Sequence, residues 1–140
     1  MERKELLYEG KAKQVWSTPD PELVIQYFKD DATAFNAQKR GTIASKGVLN
    51  NAISERLFKL LADAGVKTHF VARPSEREMV VRKLAIFPIE VVVRNVVAGS
   101  LATRLGRDEG VKLPAPVVEL YYENDALADL MINDLHAIVF

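Results

Sequence analysis

The run from Ile89 to Val97, Ile-Glu-Val-Val-Val-Arg-Asn-Val-Val, constrains this chain more than any other stretch. β-Branched side chains lose rotamer freedom in a helix and pack well on a pleated surface, so the run predicts a strand. Its nearly unbroken apolar character predicts one covered on both faces. Pro88 precedes it. Because side chains alternate along a strand, Glu90, Val92, Arg94 and Val96 share one face. A carboxylate and a guanidinium on such a wall are costly unless each finds a partner. The strand breaks at Ala98-Gly99-Ser100, and Leu101, Ala102 and Leu105 then follow with helical spacing as far as Gly106. Ser100 is expected as the N-cap, with the first helical N–H groups facing outward. Two readings stand side by side. The planar fork of Arg94 beside a helix start suits a phosphate or a carboxylate; alternatively, Glu90 and Arg94 form a buried pair beside an ordinary cap.

The spacing of Ile86-Phe87-Pro88-Ile89-Glu90, Arg94 and Ala98-Gly99-Ser100 resembles a signature of the SAICAR synthetase family, the phosphoribosylaminoimidazole-succinocarboxamide synthases of purine biosynthesis. The likeness extends from Leu7 to about Asn133.

Composition excludes several function classes. Lys plus Arg and Asp plus Glu number 19 each, so no global field draws in nucleic acid or an anionic membrane, and an anion site has to be built locally. The chain has no Cys, which excludes disulfides, thiolate zinc sites and a cysteine nucleophile. At 140 residues and 49% hydrophobic it supports one domain, or one domain and the start of another. The opening Met-Glu-Arg-Lys-Glu lacks the apolar run of a signal peptide, and no stretch approaches the roughly 20 apolar residues of a membrane span. A cytoplasmic protein is expected, with neither nucleic acid nor membrane as a partner.

Leu6 to Trp16 reads as strand, glycine turn, strand. Gly10 permits a close backbone approach, and Lys11 and Lys13 point to one side of an extended chain, as a polyphosphate would require; a hairpin with two solvated lysines has the same pattern. Thr18 to Pro21 is a turn and Leu23 to Phe28 a third strand. Asp30 and Asp31 suit either a metal or a capped turn. Phe35 to Ser45 has no periodicity and is expected as a loop. From Lys46 to Ala64, Leu49, Ile53, Leu57, Leu60, Leu61 and Ala64 form one stripe ending before Gly65, predicting a helix that packs across the sheet through that stripe. His69 to Arg73 and Met79 to Leu84 form a hairpin, with His69 read as a surface or core residue rather than a ligand. Arg107 to Gly110 is a charged turn, Lys112 to Pro116 an extended connector, and Val117 to Tyr122 a further strand.

The resemblance implies more. Gly10, Lys11, Ala12 and Lys13 match the family's Gly-Lys-x-Lys segment over the ATP phosphates. Arg82 and Leu84 fall at a kinase-like hinge, where a backbone C=O and N–H would meet the adenine edge. Arg94, Ser100 and Asp129 match positions that hold the aminoimidazole carboxylate ribonucleotide. Glu123 departs from a lysine common in relatives and takes over no role. Leu130 replaces the proline after Asp129, which is expected to loosen that loop. His136 stands near a family histidine or polar position, in a tail that otherwise differs. The family's later signature and its acidic metal ligands do not occur here, so the chain reads as truncated, with no metal ligands of its own and no assigned catalytic side chain.

The implied fold class is α+β: an antiparallel sheet of about five strands with one covering helix, resembling a kinase or ATP-grasp N-terminal lobe over 1–84, and the start of a second, substrate-binding α/β lobe over 85–140. The implied activity is an ATP- and Mg²⁺-dependent ligase joining L-aspartate to the carboxylate of the ribonucleotide through an acyl phosphate. The alternative is a kinase-like nucleotide-binding lobe without ligase activity. A homo-oligomer is left open.

Overall fold

The computed structural model describes residues 1–34, 39–127 and 129–140. The chain divides into two compact units, Met1–Leu84 and Ala85–Phe140. In the first, β1 (Leu6–Glu9), β2 (Lys13–Ser17), β3 (Leu23–Phe28), β6 (Phe70–Ala72) and β7 (Glu78–Arg82) form an antiparallel sheet in the order β1-β2-β3-β7-β6. The register puts Val24 opposite Val81 and Gln26 opposite Met79. Alternation therefore sends Val24, Phe28, Met79 and Val81 to one face, where they make a buried core joined by Val15, Phe58 and Phe70. Ile25 and Val80 are buried on the other face, where the Arg3 guanidinium lies 5.4 Å from the Trp16 ring and 4.9 Å from the Tyr27 ring.

Helix α1 (Lys46–Asp63) is present, and Gly65 follows it at φ 79, the left-handed conformation a helix end favours. Its contact face is not the predicted one. Gly47 and Asn51 are buried and Phe58 joins the core, whereas Leu49, Ile53, Leu57 and Leu60 are each more than half exposed. Two backbone approaches fix the helix's rotation. A Cβ on Gly47 would lie 2.3 Å from the Phe28 carbonyl oxygen, and the Asn51 amide donates to the carbonyls of Ser75, Glu76 and Glu78 at 3.0–3.1 Å.

The start of α1 is capped from a distance. Ser45 makes no side-chain cap; instead the Asp30 carboxylate accepts from the N–H of Gly47 at 2.9 Å and of Ser45 at 3.3 Å, and Arg77 grips both of its oxygens at 2.7 and 2.8 Å. A negative group here meets otherwise unpaired amides and the positive end of the helix dipole. Asp31 pairs instead with Lys29, whose ammonium also meets Glu9, each at 2.6 Å. Asp30 and Asp31 are thus tied into structure. The expected loop after them is partly strand: β4 (Asp31–Ala34) pairs antiparallel with β5 (Lys39–Thr42), while Phe35 to Gln38 lie outside the described residues.

In the second unit β8 (Ile89–Val96), β9 (Lys112–Tyr122) and β10 (Leu130–Ile132) make an antiparallel sheet in the order β10-β9-β8, with α2 (Ser100–Leu105) between β8 and β9 in sequence. A short α3 (Asp134–Ala137) follows, its start closed by a capping box between Asn133 and His136. The expected connector Lys112 to Pro116 is part of β9. Its prolines fall where the ladder shifts, between Arg94 opposite Val117 and Val96 opposite Lys112, so no ladder N–H is demanded of them. β8 is not covered on both faces: Val91 and Val93 are well exposed while Val92 and Arg94 are half-buried. Leu130 enters β10 opposite Tyr122, so the departure from proline is taken up by strand pairing.

Two outcomes follow for the first unit. Gly47→Ala should cost about 1–3 kcal/mol by forcing α1 off the Phe28 carbonyl, measured by denaturant unfolding; unchanged stability would show that the close approach is not required. The bonds from Arg77 and then from the Gly47 amide hold the Asp30 carboxyl well below its ordinary value of 3.8. Its stabilisation is therefore fully present above about pH 3.8 and is lost as the pH falls toward the folded-state value. Melting curves of the wild type and Asp30→Asn should lie apart at pH 7 and converge as the solution is made strongly acidic.

Candidate functional site

Alternation on β8 does place Glu90, Val92 and Arg94 on one face, and the register sets Val92 opposite Glu119 and Glu90 opposite Tyr121. The partner of Arg94 is Glu119, one diagonal step away on β9, and not Glu90, which is exposed. Glu119 is 3% exposed. Its Oε2 accepts from Arg94 Nε at 2.6 Å and from the Tyr121 hydroxyl at 2.9 Å, while its Oε1 accepts from Arg104 Nη2. Arg104 reaches in from α2 and also donates through Nη1 to the Tyr121 oxygen at 2.7 Å. Burial pushes the Glu119 carboxyl up, but the bonds from Arg94, Tyr121 and Arg104 outweigh it and leave the group below the ordinary carboxylate value.

The rest of the Arg94 fork turns toward the end of its strand. Nη2 donates to Ser100 Oγ at 3.0 Å and Nη1 to the Ala98 carbonyl at 3.4 Å. Ser100 is the first residue of α2 and not its cap: Gly99, at φ 55, occupies that position, with no side-chain cap. The Gly99 N–H is already taken by the Glu109 carboxylate at 2.7 Å. One donor at the start of this six-residue helix is thus occupied by a carboxylate. What the structure does bring together is Arg94 with Ser100. A guanidinium has five N–H donors, of which three are used here, and Ser100 accepts through its oxygen, so its own hydroxyl proton has no partner among the described residues.

Asp129 belongs to a separate set of contacts. It sits at φ 50 and closes the turn Asp125–Leu127 by accepting the Asn124 N–H on Oδ1 at 3.2 Å. No contact among the described residues joins it to Arg94 or Ser100.

In the first unit, the β1–β2 turn is closed by the Gly10 N–H donating to the Lys13 carbonyl at 2.8 Å, and a Cβ on Gly10 would press on the Tyr8 ring at 3.0 Å. The Lys13 ammonium lies 5.2 Å from the Phe28 ring centroid, and burial pulls its pKa below the usual lysine value. No carboxylate is paired with it among the described residues. Lys11 is exposed on the same turn, beside Ala12. Arg82 and Leu84 line an open groove of about 470 Å³ with Phe58, Leu61, Val66 and His69. The Arg82 N–H is used by the His69 carbonyl at 2.8 Å, whereas no hydrogen bond engages the Leu84 N–H among the described residues. His69 is half-buried, its ring edge-on to Phe58 at 5.1 Å; burial and then the Lys13 charge lower its pKa.

Known proteins place these two assemblies in a family. The SAICAR synthetase model matches residues 6–140. This chain belongs to the SAICAR synthetase family. A phosphoribosylaminoimidazole-succinocarboxamide synthase of Clostridium acetobutylicum is 59% identical over 138 residues, covering 99% of this chain and 59% of that protein. One from Rhizorhabdus wittichii is 57% identical over 140 residues, covering 100% of this chain and 54% of that protein. The crystal structure of the Ehrlichia chaffeensis synthase superposes with a TM-score of 0.94 at 47% identity, over 97% of this chain and 57% of that one. A SAICAR synthetase in complex with ADP gives 0.91 at 52%, over 96% and 57%. The chain therefore spans little more than half the length of the relatives it matches.

Among the described residues, no three His, Asp or Glu side chains converge as a metal-holding set. No helix of the described residues is long and apolar enough to cross a membrane. Glu119, Tyr121 and Arg104 were not identified from the sequence. The available signal was a lone carboxylate in the apolar run Val117 to Tyr122, which demands a partner as Arg94 does.

Lys13→Met should separate function from stability. Lys13 is exposed and has no carboxylate paired with it among the described residues, so its loss should change the stability of the free protein by no more than about 0.5 kcal/mol, while ATP affinity should fall by about tenfold or more if Lys13 meets the phosphates. Thermal melts and ATP titration check both; a lower melting temperature with undiminished ATP affinity would contradict this role.

Proposed function

We propose that this chain is the part of an ATP-dependent ligase of de novo purine biosynthesis that holds ATP and 5-amino-1-(5-phosphoribosyl)imidazole-4-carboxylate. The reaction joins L-aspartate to the ribonucleotide's carboxylate and releases the succinocarboxamide, ADP and phosphate. The observation that carries this reading is the Arg94–Ser100 pairing, a guanidinium fixed on its Nε side with an unpartnered hydroxyl proton beside it, lying within a family match over residues 6–140. The relative solved with ADP supports a nucleotide as the second ligand. No observation favours a nucleotide-binding lobe without ligase activity.

A carboxylate and an amine do not condense unaided in water. ATP supplies the activation when bound: its γ-phosphoryl passes to the carboxylate, and the amine of L-aspartate then displaces phosphate from the acyl phosphate. The residues of this chain bind and orient. In the first unit, Lys13, Lys11 and the backbone of Gly10 and Ala12 contact the phosphates, and the negative charge there favours the ammonium form of Lys13 against the desolvation that lowers its pKa. The free N–H of Leu84 and the carbonyl of Arg82 meet the adenine edge, which gives the unit a kinase-like hinge. In the second unit, Arg94 and Ser100 hold an anionic group of the ribonucleotide and Asp129 a hydroxyl or amine of it. Neither step needs a covalent enzyme intermediate, so catalysis by these groups is positioning and charge neutralisation. Magnesium is the ordinary companion of a nucleoside triphosphate, but the described residues do not make a site for it. The reaction's water-soluble substrates suit a cytoplasmic location.

In the intact protein with ATP, L-aspartate and the carboxylated ribonucleotide all present, ADP should appear in step with the succinocarboxamide; ADP release that does not depend on the ribonucleotide, with no succinocarboxamide formed, would overturn the assignment. In a calorimetric titration, Arg94→Ala should weaken ribonucleotide binding by about a hundredfold and spare ATP. Unchanged ribonucleotide affinity would remove Arg94 from the site.

A further inference from the structure

Glu119 is the most buried charged group of the second unit among the described residues, at 3% exposed, and nothing in the proposed chemistry uses it. A buried carboxylate is tolerated when its lone pairs are filled by cationic donors, and here all three donors are side chains: Arg94 Nε and the Tyr121 hydroxyl on Oε2, Arg104 Nη2 on Oε1. The arrangement is directional. Arg94 is held by its Nε, on the inner side of the fork, so its two Nη groups project past the strand end, where Nη2 meets Ser100 Oγ and Nη1 the Ala98 carbonyl. Arg104 is held through both Nη groups, by Glu119 and by the Tyr121 oxygen, with its guanidinium 5.8 Å from the Tyr121 ring centroid. Both Nη groups of Arg104 thus turn inward to Glu119 and Tyr121, whereas those of Arg94 turn to Ser100 Oγ and the Ala98 carbonyl and keep one further N–H each.

The three elements involved are also the ones that have to be set against each other. Arg94 lies on β8, Glu119 and Tyr121 on β9, and Arg104 and Ser100 on α2. A long flexible side chain loses rotamer entropy when it binds an anion, about 2 kcal/mol for a wholly free arginine. One pinned at Nε has already lost most of it, so pinning raises affinity without adding a contact.

We propose that Glu119 is a positioning residue for substrate: it orients the Arg94 fork toward an anionic group of the ribonucleotide, while Arg104 and Tyr121 keep Glu119 ionised and immobile. This rests on the assignment of Arg94 to the ribonucleotide site. Glu119 touches no reacting atom. It acts through Arg94, and the positive charge left over by two guanidiniums on one carboxylate makes the neighbourhood attractive to an anion.

The test is a titration of the protein and its variants with the carboxylated ribonucleotide, with ATP, and with the carboxamide riboside of the same base, which carries neither the carboxylate nor the phosphate. Glu119→Gln keeps the shape and removes the charge. It should weaken the ribonucleotide by tenfold to about a hundredfold, the scale of a displaced contact group, and leave the riboside and ATP affinities within about twofold. Tyr121→Phe removes only the hydroxyl and leaves every charge. It should weaken the ribonucleotide in the same selective way but by less, about threefold, and it carries the test should Glu119→Gln fail to fold. Equal loss for ribonucleotide and riboside in the variants would overturn the proposal, because Glu119 would then merely hold the unit together. So would ribonucleotide affinity unchanged in both variants. Arg94→Ala in the same series distinguishes the two levels: if it leaves ribonucleotide affinity intact, the site assignment itself fails; if it abolishes binding while the Glu119 and Tyr121 variants bind normally, only the positioning role fails.

Discussion

A single buried carboxylate sets the geometry of the second unit. Glu119 would be strongly disfavoured in its place without compensation, and the chain compensates it with two guanidiniums and a phenol drawn from three different elements. That requirement fixes the register of β8 against β9 and the direction in which α2 departs from Gly99. A sheet of three strands with only Val97, Leu101, Ala102 and Ile132 as buried apolar residues among the described ones has little else to determine a unique arrangement. The polar cluster serves as structure on its inner side and presents the Nη groups of Arg94 on its outer side, so one set of bonds does both tasks.

The first unit solves a comparable problem with opposite emphasis. Its sheet has an ordinary apolar core, but the position of α1 is decided by polar and steric contacts: Asp30 bridging the helix start to Arg77, the missing side chain of Gly47, and the Asn51 amide on the carbonyls of Ser75, Glu76 and Glu78. Lys13 is exposed beside this core, its ammonium over the Phe28 ring and paired with no carboxylate among the described residues, which leaves its charge available to an anion.

Much of this was legible in the residues, and the failures have specific causes. The strands of the first sheet, the glycine turn at Gly10, the helix from Lys46 and the shared face of Glu90 and Arg94 follow from local periodicity, which depends on the residue and its near neighbours. The face of α1 did not follow. Leu49, Ile53, Leu57 and Leu60 have the same helical period as Gly47, Asn51 and Phe58, and hydrophobicity favoured the wrong stripe because the closest packing used a glycine and an asparagine. Glu119 could not be chosen over Glu90 as the partner of Arg94, because that depends on a pairing register across an intervening helix. Ser100 was read as a cap, yet the conformation at Gly99 and the Glu109 carboxylate on its N–H move the helix start by one residue. Local pattern revealed which groups were expensive; long-range pairing decided how each expense was met.

The central claim is that Arg94, held from behind, faces a negatively charged ribonucleotide. It is tested most directly by following the side-chain Nε–H resonance of Arg94 by nuclear magnetic resonance as the carboxylated ribonucleotide is added. The account predicts a resonance that is sharp and slow to exchange in the free protein, because Nε is bonded to Glu119, and that shifts in a saturable way with ligand. A resonance that exchanges rapidly in the free protein, or one that stays in place at saturating ribonucleotide, would contradict it.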